Sequence, residues 1–381
     1  VFSHYTERGW TVDNLWHIFT DFYGGQYAPL AFLSYLVLYA GFGYDPFYFH
    51  MFSLLLHIGC VCLVWKLISS LLRVHGGVSE KQILYVNFIT TLLFAVHPIN
   101  VEAVAWISAL KVLLYAFFYL LGLLCYLRYI RTSKIFYYVL TIGCFLCSFW
   151  GKEQAVTFPL ALLIVDWFTN RNMKNLEVWS EKMSFLIMAF FFGIITVLSQ
   201  GKGPYEMIFP LYQRLLFGCF ALVEYITKSL LPVNLNFFYP FPIVLGEEPP
   251  LHYYLYPVVL LFLMGWIIAY RNNRYLVFGV LLFLVNLLFS IHLFNMSRHA
   301  IVADRYMYLS YVGIAFLIAN GIWWLRKRLS YFKAALVFLF FYCFFLSVYT
   351  FHYTKKWENT TMVKKYTKEV LEKRLNGSNH L

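Results

Sequence analysis

Between Ile83 and Phe351 the chain alternates long, continuously apolar runs with short turns that hold nearly all of its charges. A hydrocarbon core about 30 Å thick takes ~20 residues of helix per crossing, and the pattern supplies about ten runs of that order. The runs lack period-two alternation, and a helix satisfies every backbone group within its own segment, so strands are not expected. Crossings are expected at 46–70, 82–97, 105–127, 135–150, 153–169, 183–200, 252–270, 275–292, 305–325 and 332–352. Pro29 to Gly43 is apolar but too short to cross comfortably and reads as an interfacial helix. The run 212–231 would break the alternation of sides if it crossed. With Arg214, Glu224 and Lys228 along it and Pro232 behind it, it reads as a re-entrant or interfacial helix. The expected fold class is an all-α polytopic membrane protein of about ten transmembrane helices with interfacial helices beside them.

Composition agrees with that reading. With 61% hydrophobic and 13% charged residues, a water-soluble fold would lack the polar surface to cover its core. The net charge of +12 is spread through short turns instead of gathered on one face, which argues against nucleic acid as a partner. Lys66, Arg73 and Lys81, then Arg128, Arg131 and Lys134, then Arg171, Lys174 and Lys182, then Arg271 and Arg274, then Arg326, Lys327, Arg328 and Lys333 mark alternate connections. The positive-inside rule makes those connections cytoplasmic. The seven cysteines lie inside apolar runs and behave as small hydrophobes, Cys144 and Cys147 included despite their CxxC spacing. No signal peptide is visible, and the polar, aromatic opening from Val1 reads as a fragment that starts after an earlier span.

The opposite side then collects the unusual loops: 98–104, 151–153, 201–211, 232–251, 293–305 and the tail after 353. Any chemistry is expected there, from three constellations. His97-Pro98-Ile99-Asn100-Val101-Glu102 closes one span and opens the next, holding an imidazole and a carboxylate near the boundary. Glu102 could steer an acceptor or act on a sugar; alternatively His97 caps the helix while Glu102 pairs with a nearby lysine. Lys111, further along, either snorkels to the interface or meets a phosphate. Gly151-Lys152-Glu153-Gln154 is a charged hinge, functional or simply a mutual Lys152–Glu153 pair. Asp166, at the far end of the next span, reads as structural, bonding with nearby Trp or Asn groups. Ser297-Arg298-His299 through Asp304-Arg305-Tyr306 enters a span with two arginines, a histidine and tyrosines, a seat for a lipid phosphate at a helix N-terminus. Asp304 beside Arg305 could instead be a local ion pair. No GxxxxGK[ST], GxSxG, HExxH or paired CxxC site is present, so nucleotide hydrolysis, serine hydrolase and zinc chemistry have no support.

HPINVEAVAWIS followed by Lys111, then GKEQAVTFPLALLIVDW, then LLPVNLNFFYPFP, then ADRYMYLSYVG occur in an order that resembles the GT-C membrane glycosyltransferases related to the transmembrane and tetratricopeptide-repeat O-mannosyltransferases. The similarity runs from about Trp10 to Trp357 and is specific as an ordered set. It implies a partial first outer loop with an interfacial helix at 1–45, a GT-C-like transmembrane domain at 46–352 and a basic helical tail at 353–381. It further implies transfer of a hexose such as mannose, from a polyprenyl-phosphate-linked sugar to a protein or glycan hydroxyl, at the non-cytoplasmic face of a bacterial inner or endoplasmic-reticulum-type membrane. A carboxylate base and often a divalent metal ion, Mg or Mn, belong to that chemistry. On this resemblance Arg305, Arg298, Lys152 and Lys111 are the donor-phosphate residues, His97 and Glu102 the catalytic or positioning candidates, and Glu153, Asp304, His299 and Tyr306 the support. Three departures stand out. The family's acidic pair in the first outer loop has no convincing match in Glu7 or Asp13; Ala28-Pro29 replaces His-Pro or Arg-Pro; and Leu110-Lys111-Val112 replaces Arg-Lys-Asp. Two expectations follow: the base lies upstream of Val1, or the chain is a catalytically degenerate subunit that binds lipid or a membrane-complex partner.

Overall fold

The computed structural model describes residues 3–200, 209–292 and 300–378. Among these residues the chain is helical and forms no strand, only the isolated bridges Tyr23–Gln26 and Tyr239–Val302. Among the described residues six helices have the length and apolarity to cross a membrane: Pro46–His75, Ile107–Thr132, Leu176–Ser199, Leu251–Ala269, Asp304–Lys327 and Leu329–Trp357. Glu80–Val96 and Pro98–Ala105, bent by 50° at the break between them, make a seventh if they are one broken span. The protein is an integral, multi-pass membrane protein.

Six or seven candidate spans replace the expected ten, because three of the expected runs form helices shorter than a full crossing. The runs 135–150 and 275–292 are helices of 17 and 14 residues, Ile135–Gly151 and Arg274–Leu287. The run 153–169 is a 3₁₀ turn, Glu153–Thr157, leading into the 11-residue helix Phe158–Phe168, where Pro159 sits in the first turn. All three fall short of the ~20 residues a perpendicular crossing needs.

The chain divides into two compact units, residues 1–91 with 107–204 and residues 92–106 with 205–381. In the first unit Asp45 caps Pro46–His75 by accepting from Phe47 N at 3.0 Å, and Pro46 stands where the missing N–H costs nothing. Pro29–Phe42 is a helix, as the apolar run predicts, and Tyr35 ties it to the Ile107 carbonyl at 2.7 Å. Helices Leu110–Thr132 and Ile135–Gly151 turn tightly at Ser133 and pack so closely that a Cβ on Gly151 would stand 2.7 Å from Tyr115 N. Ser148 Oγ donates to the Tyr115 carbonyl at 2.9 Å in the same place. Small residues let helix backbones approach, which is how helices gain contact in a solvent as apolar as their side chains.

A buried ion cluster closes the turn between Phe158–Phe168 and Leu176–Gln200 in this unit. Asp166 and Lys182 are 0% exposed and paired. Arg171 holds the Glu181 carboxylate by both oxygens, at 2.6 and 2.9 Å, and reaches Asp166 at 3.2 Å. The Tyr126 hydroxyl donates to Asp166 at 2.8 Å and accepts from Lys182 and Arg171. Glu181 holds the Arg171 guanidinium protonated above its ordinary range. The partners of Asp166 are Lys182, Arg171 and Tyr126, not the Trp or Asn groups expected. Arg171 and Lys182, counted above as topogenic charges, are ion-pair partners. Two cations and two carboxylates leave the cluster neutral, the condition under which burying charge is tolerable.

In the second unit Asn273 caps Arg274–Leu287 by accepting from Tyr275 N and Leu276 N. That helix and Met307–Trp324 meet through Gly279 and Gly313; a Cβ on Gly313 would lie 2.5 Å from the Gly279 carbonyl oxygen and 2.7 Å from Phe283 N. Thr350 Oγ1 donates to the Val96 carbonyl at 2.8 Å, fixing Leu329–Thr354 beside the helix end that leads into His97. Thr360–Ser378 gives the tail the helix its pattern predicts. Leu211–Leu230 is helical, yet Lys228, taken above as a mark of an interfacial helix, is 2% exposed.

Candidate functional site

Pro98 lacks an N–H and cannot continue the helix before it, so the chain leaves helical geometry at His97, whose backbone is extended. His97 Nδ1 accepts from Ile99 N at 3.3 Å, and Asn100 Nδ2 donates to the Phe94 carbonyl at 2.7 Å, closing the end of the preceding helix. The buried His97 ring lies against Tyr311, with centroids 4.2 Å apart. His97 therefore caps the turn, one of the two roles open to it from sequence. The 3₁₀ turn Pro98–Asn100 then delivers Val101–Ala105 and, on it, Glu102.

Glu102 is fully buried, and its partner is Arg305, 203 residues away, where a lysine was expected. Arg305 donates from its backbone N to Glu102 Oε2 at 2.7 Å and from Nη1 to Oε1 at 2.5 Å. The guanidinium keeps 19% of its side chain exposed and sits 5.4 Å from the Trp106 ring centroid and 5.1 Å from that of Tyr306. Flat aromatic faces favour a cation held this way.

Asp304 and Arg305 are neighbours in sequence but do not form the local pair considered above. The 3₁₀ turn Asp304–Tyr306 sends Asp304 to a separate partner set. Tyr239 Oη donates to its carboxylate at 3.0 Å, Asn236 N at 3.3 Å and Lys228 Nζ at 3.4 Å. Lys228 also donates to Tyr239 Oη at 2.5 Å and lies 3.8 Å from Glu224. Ile301 N donates to the Tyr239 carbonyl at 2.9 Å and the Tyr225 hydroxyl accepts from Ala303 N at 3.1 Å, so the strand-like approach to Asp304 is pinned residue by residue. The corner therefore carries two buried pairs, Glu102–Arg305 and Asp304–Lys228, flanked by tyrosines and Trp106.

Among the sequence candidates, the structure brings together Glu102, Arg305, Tyr306 and Asp304 in the second unit, with His97 at the head of the same turn. Arg298 and His299 lie outside the described residues. Lys111, Lys152 and Glu153 belong to the first unit. Lys111 Nζ donates to Gln26 Oε1, and Lys152 is buried at the end of Ile135–Gly151 with Glu153 opening the following 3₁₀ turn. Lys228, Tyr239 and Asn236 were not selected from sequence; their signal was present in the Glu224–Lys228 spacing and in LLPVNLNFFYPFP. Among the described residues no three His, Cys, Asp or Glu side chains converge on a point where a metal ion could sit, and both carboxylates of the corner are committed to cations.

The mouse protein O-mannosyl-transferase TMTC2 is 32% identical over 189 residues, 45% of this chain and 21% of the mouse protein. Human TMTC2 is 33% identical over 189 residues, again 45% and 21%, and Drosophila melanogaster Tmtc3 is 28% identical over 172 residues, 40% of this chain and 18% of the fly protein. The matched stretch is thus about a fifth of the length of these curated relatives. No family profile matches the chain, and no solved structure matches it. Over nearly half its length, then, this membrane protein resembles the TMTC protein O-mannosyl-transferases.

Proposed function

We propose that the chain is the membrane portion of a glycosyltransferase that takes a mannose-like hexose from a polyprenyl phosphate and transfers it to a protein hydroxyl at the non-cytoplasmic face. The observation that carries the reading is the sequence match to several protein O-mannosyl-transferases. The geometry supports it through Arg305. A guanidinium has five donors in a rigid fork suited to phosphate oxygens, and Glu102 uses only one side-chain nitrogen of it. In this reading Arg305 grips the donor phosphate, stabilising the charge that remains on it as the sugar departs. Glu102, fully buried, holds Arg305 in place by an ion pair through Oε1 and a backbone hydrogen bond through Oε2, and Asp304, fixed by Lys228 and Tyr239, sets the turn that aims it.

A second reading rests on a specific observation: Leu110-Lys111-Val112 lacks the cation and carboxylate that the resembling enzymes carry around this lysine. It makes the chain a catalytically silent subunit that binds lipid or a protein partner. Transfer of labelled mannose from a polyprenyl phosphate to an acceptor peptide by the full-length protein separates the two. Turnover by the wild type that falls at least about 100-fold in Arg305→Ala, with the donor KM raised, supports the enzyme; a fold-intact Arg305→Ala protein with unchanged turnover removes Arg305 from the donor site. No turnover by the full-length wild type leaves the silent subunit.

A further inference from the structure

The first unit holds a cavity of ≈350 Å³ that none of this uses, between the C-terminal parts of Pro46–His75 and Leu110–Thr132 and the start of Ile135–Gly151. Its polar lining is Lys66, Ser69 and Ser70 from the first helix, Arg128 and Arg131 from the second and Tyr137 from the third, with leucine and cysteine side chains completing the wall. The spacings explain the convergence: Lys66, Ser69 and Ser70 are i, i+3 and i+4, and Arg128 and Arg131 are i and i+3, so each set shares one helix face. Among the described residues no carboxylate lines the cavity. This contrasts with the Arg171 and Lys182 cluster of the same unit, where cations are matched by Asp166 and Glu181.

Ordinary helix-end electrostatics account for part of this arrangement. Arg131 lies in the last turn of its helix, where a cation offsets the negative end of the dipole. Lys66 does not: it stands more than two turns before His75, beyond the reach of that end effect. Three like charges around one concave space are relieved by a polyanion placed among them. The surface leading to the cavity narrows the choice of anion. Ile58, Cys62 and Lys66 form an i, i+4, i+8 stripe along a membrane-spanning helix, all exposed, so an apolar track ends at a cation.

We propose that this cavity binds the phosphorylated headgroup of an anionic membrane phospholipid, its phosphate held by Lys66, Arg128 and Arg131, its remaining oxygens by the Ser70 and Tyr137 hydroxyls, and its acyl chains along the Ile58–Cys62 track. Free phosphate offers the same charge without the chains, and the apolar track favours the lipid. On the positive-inside reading these helix ends meet the cytoplasmic leaflet, where anionic lipids concentrate. The site is independent of the transfer reaction.

The test is native mass spectrometry of the full-length protein released from mixed micelles containing equal phosphatidic acid and phosphatidylcholine of matched chains. The wild type should retain phosphatidic acid over phosphatidylcholine, and Lys66→Gln/Arg128→Gln/Arg131→Gln should weaken that retention on the order of 100-fold. A control, Lys81→Gln/Lys134→Gln/Lys174→Gln, removes the same charge from exposed positions of the same unit and should behave as the wild type. Because the lining cations are exposed, their loss should leave the thermal unfolding curve in place; Lys66→Gln alone, expected to lose about tenfold, serves as the check if the triple variant misfolds. Equal retention of the two lipids, equal loss in the control triple, or displacement of the lipid by equimolar inorganic phosphate would each overturn the proposal.

Discussion

Glu102→Ala removes two acceptors at once, the oxygen that takes Arg305 Nη1 at 2.5 Å and the one that takes Arg305 N at 2.7 Å. Deleting one partner of a buried ion pair costs about 3–5 kcal/mol, because the other charge is left uncompensated. A stranded backbone N–H adds about 1–3 kcal/mol. The 19% exposure of the Arg305 side chain lets water reach part of the guanidinium, which puts the ion-pair share at its lower end and the sum at about 4–6 kcal/mol. Glu102→Gln keeps a neutral amide oxygen for one donor and should cost about half as much, roughly 2–3 kcal/mol. The double variant Glu102→Ala/Arg305→Ala no longer holds an unpaired charge and should fall short of the sum of the singles by at least about 2 kcal/mol. Unfolding by SDS titration from bicelles, followed by tryptophan fluorescence, reads all three; Trp106 lies beside the pair and reports its disruption. A cost below about 1 kcal/mol for Glu102→Ala, the value of a solvent-exposed pair, or strict additivity in the double variant, would refute the burial argument.

Lys174 and Lys182 sit near the same turn and would be equivalent if both served only to set topology, but Lys182 is 0% exposed and paired with Asp166 while Lys174 is exposed. Lys182→Met should therefore cost about 3 kcal/mol in the same unfolding assay and Lys174→Met under about 0.5 kcal/mol; equal effects would return Lys182 to a purely topogenic role. Gly313→Val places its Cβ against the Gly279 carbonyl and Phe283 N, backbone atoms that cannot step aside, so the two helices must part at a cost of about 1–3 kcal/mol. A melting temperature unchanged from the wild type would show that the helices separate freely there. Asn100→Ala removes the bond that closes the helix end at Phe94 and should lower stability by about 1 kcal/mol while leaving Arg305 paired, measured as a shift in the same transition with no change at the Trp106 fluorescence maximum.

Apolar runs with their charges confined to turns determine a helical membrane protein from sequence alone, since the cost of unpaired backbone groups in lipid leaves few alternatives. The ordered motifs likewise carried the family resemblance and directed attention to His97, Glu102, Asp304 and Arg305. Partners were not legible. Adjacent charges such as Asp304 and Arg305 look like one pair, and whether they are depends on the dihedrals of a single 3₁₀ turn; here they part, to Lys228 and to Glu102. Lys182 and Lys174 read alike because the positive-inside rule counts charges without seeing burial. The breaks at His97 and Lys152 were legible, as a helix-ending proline and a charged hinge, whereas the short helical length that follows in Phe158–Phe168 was not, because an apolar average runs straight across the 3₁₀ turn before it. Sequence thus determined the solvent and the kind of element, which follow from local composition, whereas tertiary structure decided which charge neutralises which, since that pairing joins residues as far apart as Glu102 and Arg305.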